Sequence, residues 1–198
     1  MLRETPRQRA QRSGAGLQGV SLKPLLTLTV LLVALLVPAS AQATTWRGYV
    51  PAEYKTWIGD ASQRVPMPHG PITISAKDCR IGGGTCYIHA DRTIYMAEDY
   101  GFSATQRRSL LIHEIGHAVD LYNMTPAKRR QFRGLLELYC GWTDDSWRGC
   151  DPVPAEQFAE QYVACAYGIP RASVAERWYD YLPLPSLEPA LCALIRSN

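Results

Sequence analysis

From Ala104 to about Tyr122, apolar residues recur at helical spacing: Leu111, Ile112, Ile115, Ala118, Val119 and Tyr122. Ser103 stands just ahead of this stripe, with Gln106 three residues on. In that arrangement a hydroxyl and an amide cap each other's backbone. The pattern predicts a helix over 104–122. Upstream the period is two. PITIS (Pro71 to Ser75) and CYIHADRTIYMAE (Cys86 to Glu98) alternate and carry β-branched and aromatic residues, which reads as strands. RIGGGTC between them is a turn, since three glycines suit the interior of neither element. TTWRGYVPAEYKTWIG, ahead of both, is aromatic-rich and fits a short helix or an extended arm.

Downstream of the central helix, Thr125 followed by Pro126 is a cap-and-first-turn signal. It opens a predicted helix through KRRQFRGLLELYC. The loop GWTDDSWRGCDPVP follows, then a helix over Ala155 to Tyr167 that Gly168 and Pro170 end. Two shorter helices are expected at Ala172 to Tyr181 and Ser186 to Arg196. Strands first and helices after describes an α+β fold.

The first 43 residues are of another kind. Arg3, Arg7, Arg9, Arg12 and Lys23, against the single Glu4, precede LLTLTVLLVALLV, a run of 13 residues from Leu25 to Val37. ASAQA then offers small-x-small cleavage points after Ala41 or Ala43. Charge, apolar run and small residues in that order make a secretory signal. The rival is a retained anchor, but a spanning helix needs about 20 apolar residues. The chain is thus read as a cleaved signal over 1–43 and one domain over 44–198. Removing the leader changes the charge. Of 21 basic and 18 acidic groups it holds five and one, leaving 16 and 17 in the mature part. That part carries no basic stripe for nucleic acid.

All six cysteines follow the signal, and an even number in an exported chain reads as disulfides. Sequence does not choose among the pairings. The local expectation is Cys79–Cys86 across the glycine turn, Cys140–Cys150 across the 141–149 loop, and Cys165–Cys192 tying two helices. A cysteine zinc site would need close pairs such as CxxC, which are absent.

The chemistry lies in HEIGH, residues 113–117 of the predicted central helix. His113 and His117, four apart, share a helix face, and two imidazoles so spaced can hold one Zn²⁺. Glu114 is rotated by about 100° from His113. It is poorly placed as a ligand but can lean toward the metal's open side and take a proton from a water polarised there. The same five letters also turn up by accident, and a lone helical histidine is usually just solvated.

A catalytic zinc needs a third protein ligand. The HExxHxxGxxH pattern would put Gly at 120 and His at 123, where this chain has Asp120 and Asn123. Asp120 is better suited to a supporting or capping role. His69 and His89 are the other histidines. His89 can in principle reach the site, though an ordinary half-exposed strand position suits it better. PAEQFAEQYVACAYG offers more. Glu156 and Glu160 share a face with Val163 and Tyr167, while Phe158, Tyr162 and Cys165 lie on the opposite, packing side. A ligand carboxylate followed one turn later by a second carboxylate suits a metal helix. The second can accept the ring N–H of a ligating histidine and fix its tautomer. The bland reading of the pair is a solvated acidic face.

These residues resemble the gluzincin group of zinc metallopeptidases, and more closely the catalytic domain of the anthrax lethal factor family. The helix reads much like that family's HExGHAVD, and EQFAE (Glu156 to Glu160) like its EFFAE-type motif. The resemblance covers about 55 residues, Ser109 to Val163, and two motifs. It implies a zincin-like fold, one zinc ion held by His113, His117 and Glu156, Glu114 as general base, and Glu160 supporting a ligand. It departs in one place. The family has a tyrosine shortly before the ligand glutamate to steady the oxyanion, and GCDPVPA here has none. Tyr139, Tyr162 and Tyr167 are candidates by proximity, and the oxyanion donor stays open. In zincins generally, an edge strand just before the active-site helix runs along the substrate backbone. DRTIYMAED (Asp91 to Asp99) holds that place in the order. Gly116 would then leave room for close approach beside the histidines.

The expectation is a secreted, monomeric, disulfide-bonded zinc endopeptidase acting on a peptide or protein, with no membrane span once the signal is removed. The rival classes are a secreted zinc-binding or surface protein without catalysis, and a cytoplasmic regulatory peptidase. Glu114 argues against the first, and the signal and cysteines against the second.

Overall fold

Ser103 opens the long central helix as its spacing with Gln106 requires. The Ser103 hydroxyl accepts the Gln106 N–H at 3.1 Å, and Gln106 Oε1 accepts the Ser103 N–H at 2.8 Å. The computed structural model of the chain describes residues 45–47, 49–81, 83–97, 101–143, 150–174 and 182–198. The signal expected over 1–43 lies outside them.

Among the described residues, four strands and five helices form the α+β fold that the patterning predicts. The strands are β1 (Thr45–Arg47), β2 (Pro71–Ser75), β3 (Cys86–Ile88) and β4 (Thr93–Tyr95). The helices are α1 (Ala52–Ser62), α2 (Ala104–Asn123), α3 (Pro126–Leu135), α4 (Pro154–Tyr167) and α5 (Glu188–Arg196). The 44–70 segment, left between helix and arm, supplies both a strand and a helix. The order is therefore not strands first, because α1 links β1 to β2.

The sheet runs β1-β2-β4-β3, parallel except for β3, which is antiparallel to β4. This corrects two expectations. Cys86 to Glu98 is not one strand but a hairpin, turned through His89 to Arg92 with Arg92 at φ 55°. Arg92 secures the turn by donating to the carbonyls of Pro71 and His69. The expected edge strand at Asp91 to Asp99 is interior where it is described. β4 pairs with β2 on one side and β3 on the other, so the edges are β3 and β1.

α3 ends at Leu135 rather than reaching Cys140. The chain turns at Glu137 (φ 54°), and Arg133 donates to the Cys140 carbonyl at 2.6 Å. α4 ends as expected at Gly168, whose φ of 69° is the left-handed cap that glycine adopts without strain. Of the helix expected over Ala172 to Tyr181, residues 175–181 lie outside the described set, and Arg171–Ser173 form one 3₁₀ turn. The last helix begins at Glu188, two residues later than expected.

α2 and α4 pack along each other and form the centre of the molecule. α2 is buried from Ser109 to Gly116 and from Ala118 to Asp120, with Ala104, Thr105 and Leu121 exposed. Leu111, Ile112, Ile115, Ala118 and Val119 of α2 are fully buried, and so is α4 from Gln157 to Ala166 on all sides. The two-faced reading of α4 thus gives way to a helix enclosed by α2, by Phe132 and Trp142 packed on its Phe158, and by α5. The close approach depends on Gly116. A Cβ there would stand 3.0 Å from Ala159 Cα and 3.3 Å from Tyr162 Cβ. The glycine makes room for α4, not for something beside the histidines.

The three disulfides are Cys79–Cys86, Cys140–Cys150 and Cys165–Cys192. Among the described residues, no helix is long and apolar enough to cross a membrane.

Candidate metal centre

α2 and α4 bring three donor atoms to one point. His113 and His117, one turn apart, stand edge-on with ring centroids 4.7 Å apart. Their Nε2 atoms are 3.1 Å apart, and Glu156 Oε2 lies 3.1 Å from the first and 3.2 Å from the second. A tetrahedral site with bonds near 2.0–2.1 Å has ligand atoms about 3.3 Å apart. The triangle fits one small cation. Two imidazoles and one carboxylate are also a donor set suited to catalytic zinc. The His113, His117 and Glu156 group can hold a metal ion.

Burial grades across the triangle. The His113 side chain is 6% exposed, His117 20% and Glu156 26%. The fourth side therefore opens on the cleft rather than on protein. Burial pushes the Glu156 carboxyl up, but its contacts with His113 and His117 outweigh that and hold it well below the usual carboxylate range.

Glu160 lies one turn beyond Glu156 and is 1% exposed. Its Oε1 stands 3.1 Å from His113 Nδ1, the ring nitrogen facing away from the cluster. Its Oε2 accepts from Arg171, a fully buried guanidinium with no signature in the sequence around it.

Asp120 turns elsewhere. One carboxylate oxygen accepts from Arg129 Nε at 2.8 Å and the other from Trp142 Nε1 at 2.7 Å. Burial pushes its carboxyl above the ordinary range, although both donors and the His117 ring pull the other way. Asp120 thus ties the turn after α2 to the 141–143 loop, one wall of the cleft.

That cleft has a volume of about 540 Å³. It is lined by His113, Glu114, His117 and Glu156, by Thr85 with Cys86 and Tyr87 of β3, and by Thr143 and Val153. Glu114, 6% exposed, reaches the same space as the donor triangle. His89, on the hairpin turn, also lines the cleft, whereas His69 does not and hydrogen-bonds Asn123 through its backbone N–H.

None of the three tyrosines considered for the oxyanion lines the cleft. Tyr139 is 94% exposed, Tyr162 is buried and donates to the Pro66 carbonyl, and Tyr167 meets Ser109. Among the described residues, the tyrosine that does line it is Tyr87, whose hydroxyl donates to Tyr122 at 3.1 Å. Only the strand pairing puts it there. Alternation marks it as a strand residue and nothing local says which strand is the edge.

No protein-family model matches the chain, and neither a curated protein nor a solved structure does.

Proposed function

We propose that the chain is an exported zinc endopeptidase of zincin-like architecture. The observation that carries this reading is Glu114, a carboxylate brought into the same cleft as the donor triangle but not part of it. A structural metal site has no use for such a residue, and a hydrolytic one needs a base there. The three disulfides fit an oxidising compartment.

Zinc, when held by His113, His117 and Glu156, supplies Lewis acidity toward the scissile carbonyl and the attacking water. Glu114 takes the proton of that water and passes it to the leaving amine. The substrate backbone lies extended along the free edge of β3, as an added strand. Cys86 to Ile88 pair with β4 on one side only, and Cys86 and Tyr87 line the cleft.

The test is Glu114→Gln in the mature protein, with zinc counted and cleavage of a peptide library followed. Retained zinc with cleavage slowed about 10²–10⁴-fold is the expected result. Zinc-loaded Glu114→Gln that cuts at the wild-type rate would sink the mechanism. A zinc-loaded wild type that cuts no peptide would favour the non-catalytic binding protein.

A further inference from the structure

Deep in the interior, the Arg171 guanidinium has no exposed surface at all. Arg171 opens the 3₁₀ turn Arg171–Ser173 that follows α4. Arginine is seldom fully buried, because its charge does not titrate away and must be met inside the protein. Here the Arg171 side chain donates to Glu160 Oε2, and its backbone N–H donates to Glu188 Oε2 of α5 at 3.0 Å. Glu160 turns its other oxygen to His113 Nδ1 at 3.1 Å. A continuous line of contacts therefore runs from α5 through Arg171 and Glu160 to a ring whose far nitrogen belongs to the donor triangle.

Charge balance separates the roles. A histidine that ligates a metal does so as the neutral ring, with its proton on the other nitrogen. It cannot offset a carboxylate behind it. A carboxylate buried as deeply as Glu160 needs a cation, and Arg171 is in contact with it.

We propose that Arg171 is a positioning residue of the metal centre: it fixes Glu160 so that His113 keeps its proton on Nδ1 and presents Nε2 to the metal. The inference rests on reading the His113, His117 and Glu156 group as a metal site. It adds a residue that touches neither metal nor substrate, 54 positions beyond the HEIGH segment.

The test uses the mature protein in three forms: wild type, Arg171→Met and Arg171→Lys. Ring ¹⁵N shifts of His113 are read in the metal-free protein, and zinc affinity by competition with a chelator. Expected are an Nδ1-protonated His113 in wild type and a mixture of tautomers in Arg171→Met. Zinc should bind Arg171→Met about 10–100-fold more weakly, with Arg171→Lys between the two. Should Arg171→Met fail to fold, Glu160→Gln/Arg171→Met leaves no buried charge unpaired and takes its place. An amide offers Nδ1 either its oxygen or its NH₂, so the same loss of tautomer control and affinity is expected. A folded variant with the wild-type tautomer and affinity would reduce Arg171 to a structural ion pair and overturn the inference alone. A wild type that takes up no zinc would overturn the metal reading and the inference with it.

Discussion

At Gly116 a single hydrogen separates two helices. Ala ordinarily improves a helix interior by about 1 kcal/mol over Gly. Here its methyl would press on the Ala159 backbone at 3.0 Å, and overpacking of that kind costs roughly 1–3 kcal/mol. Gly116→Ala is therefore expected to lower the thermal midpoint by a few degrees, a net loss on the order of 1 kcal/mol. Gly59, exposed in α1 with nothing within 4 Å of the place a methyl would take, is the control. Gly59→Ala should raise stability by about 0.5–1 kcal/mol. Calorimetry on the two variants checks both signs, and a stabilising Gly116→Ala would mean that the helices do not meet there. The same contrast explains what one residue's neighbours in sequence reveal. His113 and His117 could be placed together because four residues of helix fix their angle. Arg171 and Tyr87 could not, since each reaches the site through a partner far away along the chain.

Among the elements, helices were the more legible, because their caps and periods are local: Ser103 with Gln106, Thr125 with Pro126, Gly168 at its left-handed φ. Strands were not, because alternation marks a strand without naming its neighbour. Asp91 to Asp99 alternates as well as any edge, yet β4 is interior, and only pairing shows β3 as the edge beside it. Disulfides fall between the two cases, near in sequence for two pairs and joining α4 to α5 for the third. In the loop-entropy account a crosslink stabilises more as the loop it closes lengthens. Replacing Cys79 and Cys86 by Ala, seven residues apart, should cost about 2.5 kcal/mol. Replacing Cys165 and Cys192, separated by 27, should cost about 3.5 kcal/mol. Denaturant midpoints of the two double variants test the ranking, and the reverse order would show that strain or residual structure outweighs loop length.

For the molecule as a whole, the His113, His117 and Glu156 group joins α2 to α4, the two helices at the centre of the fold, so a metal held there would link binding to folding. The HEIGH and EQFAE segments make the donor residues legible, but not that the second helix is enclosed by the rest of the chain. A ligand that binds only the folded state at 100 times its dissociation constant adds about 2.7 kcal/mol. For a domain of this size that corresponds to a midpoint roughly 5–10 °C higher. Zinc is expected to raise the thermal midpoint of the mature protein by this amount, and a chelator to reverse it. His113→Ala should lose the increment, since it removes one corner of the donor triangle. Glu114→Gln should keep it, because Glu114 faces the cleft without belonging to the triangle. That difference separates holding the metal from using it, independently of any substrate. If Glu114→Gln loses the zinc increment along with His113→Ala, Glu114 is a ligand and the base must be sought elsewhere in the cleft.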